Sequence, residues 1–252
     1  MGQRGNAKNM TSQSDSPLRA ITSGAFAAAL VKLLPLYEQR SGRKVDLQFG
    51  SSLGDAHDSI PTRLAEGERF DAYFLAEAAI ERFTREGYIE QGSRIDLVES
   101  HIGACVREED TAPDISSVEA FKQALLNARS VAHAASASGI YLSGEVFPQL
   151  GIAEEMKERA WTVFSERVGT VVARGEADLG FQQISEILPI KGVKIIGRLP
   201  EPLRRPFIFC AGIGAGTERR EEAEELLRFC ASEEAGPVVT ETGLDPLFPK
   251  VE

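Results

Sequence analysis

Cysteine, histidine and tryptophan are scarce in this chain of 252 residues, which has three, three and one of them. Cys105, Cys210 and Cys230 are odd in number, far apart and set in apolar company ("GACVRE", "FIFCAG", "LRFCAS"). That pattern excludes a disulfide framework and a CxxC redox motif, and it predicts buried free thiols. His57, His101 and His133 lack metal-ligand spacing, so no metal ligand is assigned. There is no Walker loop and no dinucleotide fingerprint; "GIGAG" at 212–216 lacks the GxGxxG form, and no cofactor is expected. Basic charge is also in deficit, with 28 Lys and Arg against 38 Asp and Glu, a net charge of −10. Such a surface argues against nucleic acid and anionic membrane as partners. It leaves room for one small anion, because backbone N–H groups and hydroxyls hold anions without net positive charge. No run of about 18 apolar residues is present, which excludes membrane insertion by a helix. The polar start "MGQRGNAKNMTSQSDSP" has no apolar core of a signal peptide, so the expected location is cytoplasmic, with residues 1–16 a disordered tail.

What is present is an alternation of strands and helices. Leu18 to Ile21 reads as a short strand, Thr22-Ser23-Gly24 as a turn with Ser23 a candidate N-cap, and Phe26, Leu30, Leu33, Leu34 and Tyr37 as one apolar helix face ending at Gly42. "KVDLQF" is the next strand, followed by Gly50-Ser51-Ser52 and a helix holding "SIPTRLAEGE"; "FDAYFLA" is a third strand, mostly apolar and hence covered on both faces. The order β-α-β-α-β predicts a parallel sheet with ligands at the carboxyl ends of its strands. After Asp96 the long strand "LVESHIGACVRE" carries the chain towards a second lobe. That lobe is predicted to hold a helix ("SVEAFKQALLNA"), the strand "SVAHA", a Ser-rich loop, the helix "IYLSGEVFPQLG", a helical pair around Trp161 and Val171, and the strands "ADLGF" and "GVKIIGRLP". "RPFIFCAGIGAG" is a second long apolar strand, and two helices close the chain. The expected fold class is α/β, with lobe one formed by 17–102 plus 208–252, lobe two by 103–207, two crossover strands and a ligand cleft between the lobes.

Three loops share one character: Thr22-Ser23-Gly24, Gly50-Ser51-Ser52 and Ser136-Ala137-Ser138-Gly139. Each follows a strand and is read as opening a helix, where unpaired N–H groups and the dipole favour negative charge. Serine and glycine at one helix start need no explanation beyond capping. Three such loops at equivalent positions favour an anion site, with Ser23, Gly24, Ser51, Ser52, Ser138 and Gly139 as its lining. The stretch "VVARGEADLGFQQISEI" adds two amides, Gln182 and Gln183, where a strand ends.

The segments "ITSGAF", "LQFGSSLGDAHDSIPTRLAEGERFDAYFLAEAAIERFTREGYI", "SGIYLSGEVFPQLGI" and "VVARGEADLGFQQISEILPIKGVKIIGRLPEPL" resemble, in order, those of the periplasmic molybdate-binding proteins, type II solute-binding proteins of ABC transporters. The resemblance spans about 18–248. It implies a small anionic ligand in the cleft, and an ABC permease as partner only if the chain is exported. It matches Ser23 and Ser51 to hydroxyl ligands of the first lobe and Ser138-Gly139 to backbone ligands of the second. Ser165 in "FSERV" falls near a further contact, and Gln183 falls where the family has a tyrosine. An amide offers an acceptor as well as a donor, which counts against strict molybdate specificity and suits a ligand with its own hydroxyl or protonated groups.

Relatives of that family include an aconitate isomerase, so an alternative to simple anion binding is a cytoplasmic isomerase that shifts a double bond in a small unsaturated carboxylate. That chemistry needs a base near an acidified C–H and donors for the enolate-like charge. The candidate bases are Glu186, Glu145 and His133. Each has a plainer reading: Glu186 as a carboxylate favoured at a helix start, Glu145 as a solvated helix residue, and His133 as a core histidine.

Overall fold

The computed structural model describes residues 16–164 and 166–248. Among them the strands are β1 (Leu18–Thr22), β2 (Val45–Phe49), β3 (Ala72–Ala76), β4 (Ile95–Ser100), β5 (Ile102–Arg107), β6 (Val131–Ala134), β7 (Ala160–Val163), β8 (Leu179–Gln183), β9 (Val193–Arg198), β10 (Phe207–Ile213) and β11 (Asp245–Pro246). The helices are α1 (Ala27–Ser41), α2 (Ile60–Ala65), α3 (Glu77–Arg85), α4 (Val118–Asn127), α5 (Ala137–Tyr141), α6 (Phe147–Gln149), α7 (Ala153–Lys157), α8 (Val168–Ala173), α9 (Ile184–Ile187), α10 (Arg220–Cys230) and α11 (Gly236–Glu241).

The strands form two sheets. The first has the order β11-β4-β10-β3-β1-β2 and the second β7-β6-β8-β5-β9. β1, β2 and β3 are parallel, as the strand–helix alternation predicts, and so are β6, β7 and β8. The α1 stripe is buried at Leu30, Leu33, Leu34 and Tyr37, and Gly42 closes the helix at φ +71° with its N–H on the Glu38 carbonyl. Only glycine adopts that left-handed cap at no steric cost. The three cysteines are buried and free, as expected, and burial pushes the Cys105 thiol up to about 12.

Register fixes where the two lobes meet. β10 runs antiparallel to β3 and β4, with Phe209 opposite Ala76 and Phe207 opposite Ser100. The last residues of β3 and β4 and the first of β10 therefore lie on one edge of the first sheet, with the carboxyl ends of β1 and β2. In the second sheet Ile102 is opposite Gln183 and Gly103 opposite Arg198. The first residues of β5 and the last of β8 and β9 share an edge there too. The chain crosses between sheets at the single residue His101 and returns through 199–206, so both crossings join the carboxyl edges, and those edges bound the cleft. The second crossing is made by this connection, while β10 itself lies within the first sheet.

Two local expectations change. Trp161 stands on β7 and not in a helix, because Ala160–Val163 pairs residue for residue with β6 along the edge of the sheet. The helix expected from Ile140 begins earlier, at Ala137, and contains a π-helical turn at Leu142–Val146 before α6.

Candidate site at the carboxyl edges

Ser23 follows β1 in extended conformation, φ −133° and ψ 152°, and its hydroxyl makes no capping bond. Its N–H instead donates to the Phe74 carbonyl at 3.3 Å, and the Thr22 hydroxyl donates to the same oxygen at 3.0 Å. The Ser23 hydroxyl is thus a donor not used in capping. Gly24 turns the chain at φ +60° into a 3-10 turn, Gly24–Phe26, against which α9 of the other lobe packs.

The second loop departs from the expected pattern. It does not open a helix directly: α2 begins at Ile60, and its cap is Ser59, whose hydroxyl accepts from Thr62 N–H at 3.4 Å. The Ser51 hydroxyl donates to the Leu53 carbonyl at 2.7 Å and accepts from the Leu53 N–H at 3.2 Å. It is committed to its own loop and exposed, while Ser52 is half-buried.

The third loop is tightly packed. Ser138 is buried, and its hydroxyl lies 3.0 Å from that of Ser136. A Cβ on Gly139 would stand 1.8 Å from the Ala134 carbonyl oxygen and 2.8 Å from Nδ1 of His133. Only glycine lets the start of α5 sit this close over β6. His133 is buried beneath it, and burial pushes its pKa below the usual histidine value.

At the end of β8 the two glutamines take different roles. Oε1 of Gln183 accepts from the Ser100 hydroxyl at 2.7 Å, a bond between the last residues of β8 and β4. One lone pair of that oxygen is occupied, and the NH2 donor remains. The added acceptor expected from the sequence is therefore used in part inside the protein. Oε1 of Gln182 accepts from the Val168 N–H at 2.8 Å, at the start of α8, and its amide hydrogen-bonds Glu186. The Glu186 carboxyl is half-buried, and desolvation pushes it up to about 7, against the opposing pull of the Arg167 charge and the Gln182 hydrogen bond. A carboxylate that titrates near neutrality accepts protons far more readily than an exposed one.

Ser23, Ser138, Gln183, Gln182 and Glu186 thus lie at or just past the carboxyl ends of β1, β6 and β8. Glu145 does not join them. It is exposed on the π-helical turn and pairs with Arg205 at 3.2 Å, while Arg205 stacks over Tyr141 at 4.1 Å. Ser165 lies outside the described residues. Sequence reasoning missed Ser100 and Arg167. Arg167 had a signal, since "FSERV" places it between a strand end and a helix start; Ser100 had none. It also missed a cluster at the crossing, where His101 Nε2 lies 3.1 Å from Asp245 and Arg198 reaches the same carboxylate at 3.1 Å. Among the described residues no group of three or more His, Cys, Asp or Glu is arranged to hold a metal, and no helix is long and apolar enough to cross a membrane. Two surface hollows of about 480 and 360 Å³ lie elsewhere, one on α1 and α10 and the other beside α3.

Residues 18–245 match the model of the bacterial extracellular solute-binding protein family. An aconitate isomerase from a Pseudomonas species is 35% identical over 238 residues, 94% of this chain and 91% of that protein. Among solved structures, the Azotobacter vinelandii periplasmic molybdate-binding protein superposes with a TM-score of 0.71 at 22% identity, covering 92% of this chain and all 100% of that one. The Mycobacterium tuberculosis sulfate-binding protein SubI does so with a TM-score of 0.70 at 14% identity, covering 93% of this chain and 88% of that one.

Proposed function

The chain belongs to the bacterial extracellular solute-binding protein family, and from that premise we propose that it is an isomerase of a small unsaturated polycarboxylate, aconitate or a close analogue, bound in the cleft. The observation that carries this reading is Glu186, a carboxyl in α9 just past the end of β8, hydrogen-bonded by Gln182 and pushed up to about 7 by burial. The 35% identical aconitate isomerase supports it. The identities of the molybdate- and sulfate-binding proteins are low enough that they speak for the fold alone.

The chemistry is an allylic proton shift. The Glu186 carboxylate takes a proton from the CH2 of the substrate, and the electron pair left on carbon delocalises through the C=C bond into a carboxylate. Ser23, Ser138 and the NH2 of Gln183 are the donors that would hold that charge. The Glu186 carboxylic acid then returns the proton to the far carbon of the allyl unit, and the double bond has moved. Nothing is oxidised or reduced. A base that titrates near the working pH is partly ionised and still strong, which suits it to this transfer. Anion binding without turnover is the coarser part of the same reading and rests on the same donors.

Aconitate incubated with the protein in heavy water tests it. Deuterium should enter the allylic positions, and Glu186→Gln should slow that entry by about 10²-fold or more while leaving binding largely intact. Tight binding with no exchange in the unaltered chain leaves only the binder.

A further inference from the structure

We propose that Arg167 anchors a ligand carboxylate, so that the cleft selects di- and tricarboxylates over tetrahedral oxyanions. The proposal rests on the polycarboxylate reading above and names the residue that would give it specificity. Arg167 is partly buried in the segment between β7 and α8, on the same edge of the second sheet as Gln183 and Glu186. Its carbonyl accepts from the Thr170 N–H at 3.0 Å, but among the described residues its side chain makes no hydrogen bond or ion pair. Apart from the exposed Arg85, every other described arginine holds an acidic side chain or a carbonyl oxygen. In a chain with ten more acids than bases, a partly buried arginine with no acid at ion-pair distance is unusual. Its nearby carboxyl, Glu186, feels its charge but is hydrogen-bonded by Gln182, whose own oxygen is fixed on the Val168 N–H. The Glu186 carboxyl is thus oriented from α8, and the fork of Arg167 remains for a ligand.

A guanidinium presents two parallel N–H donors that match the two oxygens of a carboxylate. The other donors of the cleft, Ser23, Ser138 and Gln183, are neutral. A tetrahedral dianion satisfied by neutral donors gains little from an added cation at one wall, whereas an extended tricarboxylate brings a separate charge to it. Phe164, three residues before Arg167 and just past β7, also exposes its ring.

Calorimetric titration of the full chain with tricarballylate, a saturated tricarboxylate that cannot isomerise, and with molybdate and sulfate gives the test. Arg167→Gln should weaken tricarballylate by about 30-fold or more, the usual effect of removing one partner of a buried charge pair. Arg167→Lys should recover part of it, and Glu186→Gln should bind at least as tightly as the unaltered chain. Molybdate and sulfate should bind weakly throughout and change little. Tricarballylate binding within threefold of normal in Arg167→Gln, or no tricarboxylate binding by the unaltered chain, overturns the proposal. So does equal weakening in Glu186→Gln, which would make Arg167 only a counter-ion. Arg167-dependent binding without deuterium exchange would sink the isomerase reading and leave the anchor standing.

Discussion

Ser100 donates its hydroxyl to Oε1 of Gln183 at 2.7 Å, and the two residues end β4 of the first sheet and β8 of the second. One buried hydrogen bond therefore sets which end of the Gln183 amide is left free and ties the two sheets beside the His101 crossing. Ser100→Ala should free the amide to rotate. A neutral hydrogen bond is worth about 1 kcal/mol, so affinity for tricarballylate should fall about fivefold in a calorimetric titration. An unchanged affinity would mean that Gln183 faces no ligand.

If the chain is the proposed isomerase, Glu186 should give opposite pH dependences to exchange and stability. Deuterium exchange should rise as pH climbs through about 7, because only the carboxylate is a base. Its folded pKa is raised above the ordinary 4.5, so the folded state binds this proton more tightly than the unfolded state. The stabilisation is complete below about 4.5 and is lost as pH rises through about 7. Glu186→Gln should therefore melt higher than the parent at pH 8, with the gap closing by pH 4.5, as followed by thermal denaturation. A lower melting temperature at pH 8 would show that the carboxylate is not paying for burial.

His133 acts at the other end of the scale. Burial lowers its folded pKa below the ordinary 6.5, so the folded state favours the neutral ring. The stability it supports is present above 6.5 and is lost as pH falls towards the folded value. His133→Gln should flatten that part of the acid limb of stability below pH 6.5, measured by urea denaturation at each pH. An unaltered slope would assign the acid sensitivity elsewhere.

Gly139 and Gly144 make a paired test on one helical stretch. Gly139→Ala forces a Cβ to within 1.8 Å of the Ala134 carbonyl oxygen, so α5 must move off β6. A loss of about 3 kcal/mol or more is expected, a fall in melting temperature on the order of 10 °C. A Cβ on Gly144 meets nothing within 4 Å, and Gly144→Ala should be neutral or stabilising by up to about 1 kcal/mol. Equal effects in calorimetry would mean that the close approach at Gly139 is not real.

Much of the architecture was legible because it is local. Alternation in Leu18–Thr22, the stripe from Leu30 to Tyr37 and the stop at Gly42 are written in neighbouring residues. Gly24 was visible as a turn glycine at a strand end, and Gly139 as a glycine at a helix start. The bonds that orient the site were not. Ser100 meets Gln183 across 83 positions, and no spacing rule links them. Ser51 and Ser23 look alike in sequence, yet the first is used by its own loop and the second does not cap its helix, because only the fold decides which backbone groups come within reach. Trp161 was misread because an edge strand of four residues carries too little alternation to outweigh its helical flanks. Arg167 stands out only once the acids held by the other arginines are known.

The position of β10 governs the order in which the molecule can be made. It lies in the middle of the first sheet, between β3 and β4, and the outer neighbour of β4 is β11. Both partners of β4 are thus encoded after the whole second sheet, with Phe209 reaching Val98 about 110 residues later. At ribosomal rates of about 5–20 residues per second, β4 waits on the order of 5–20 s with neither edge covered. Meanwhile the strands of the second sheet, β5 to β9, have all been made and can pair. The lobe that begins the chain is therefore the last to close, and the wall bearing Ser23 is completed only after the wall bearing Glu186.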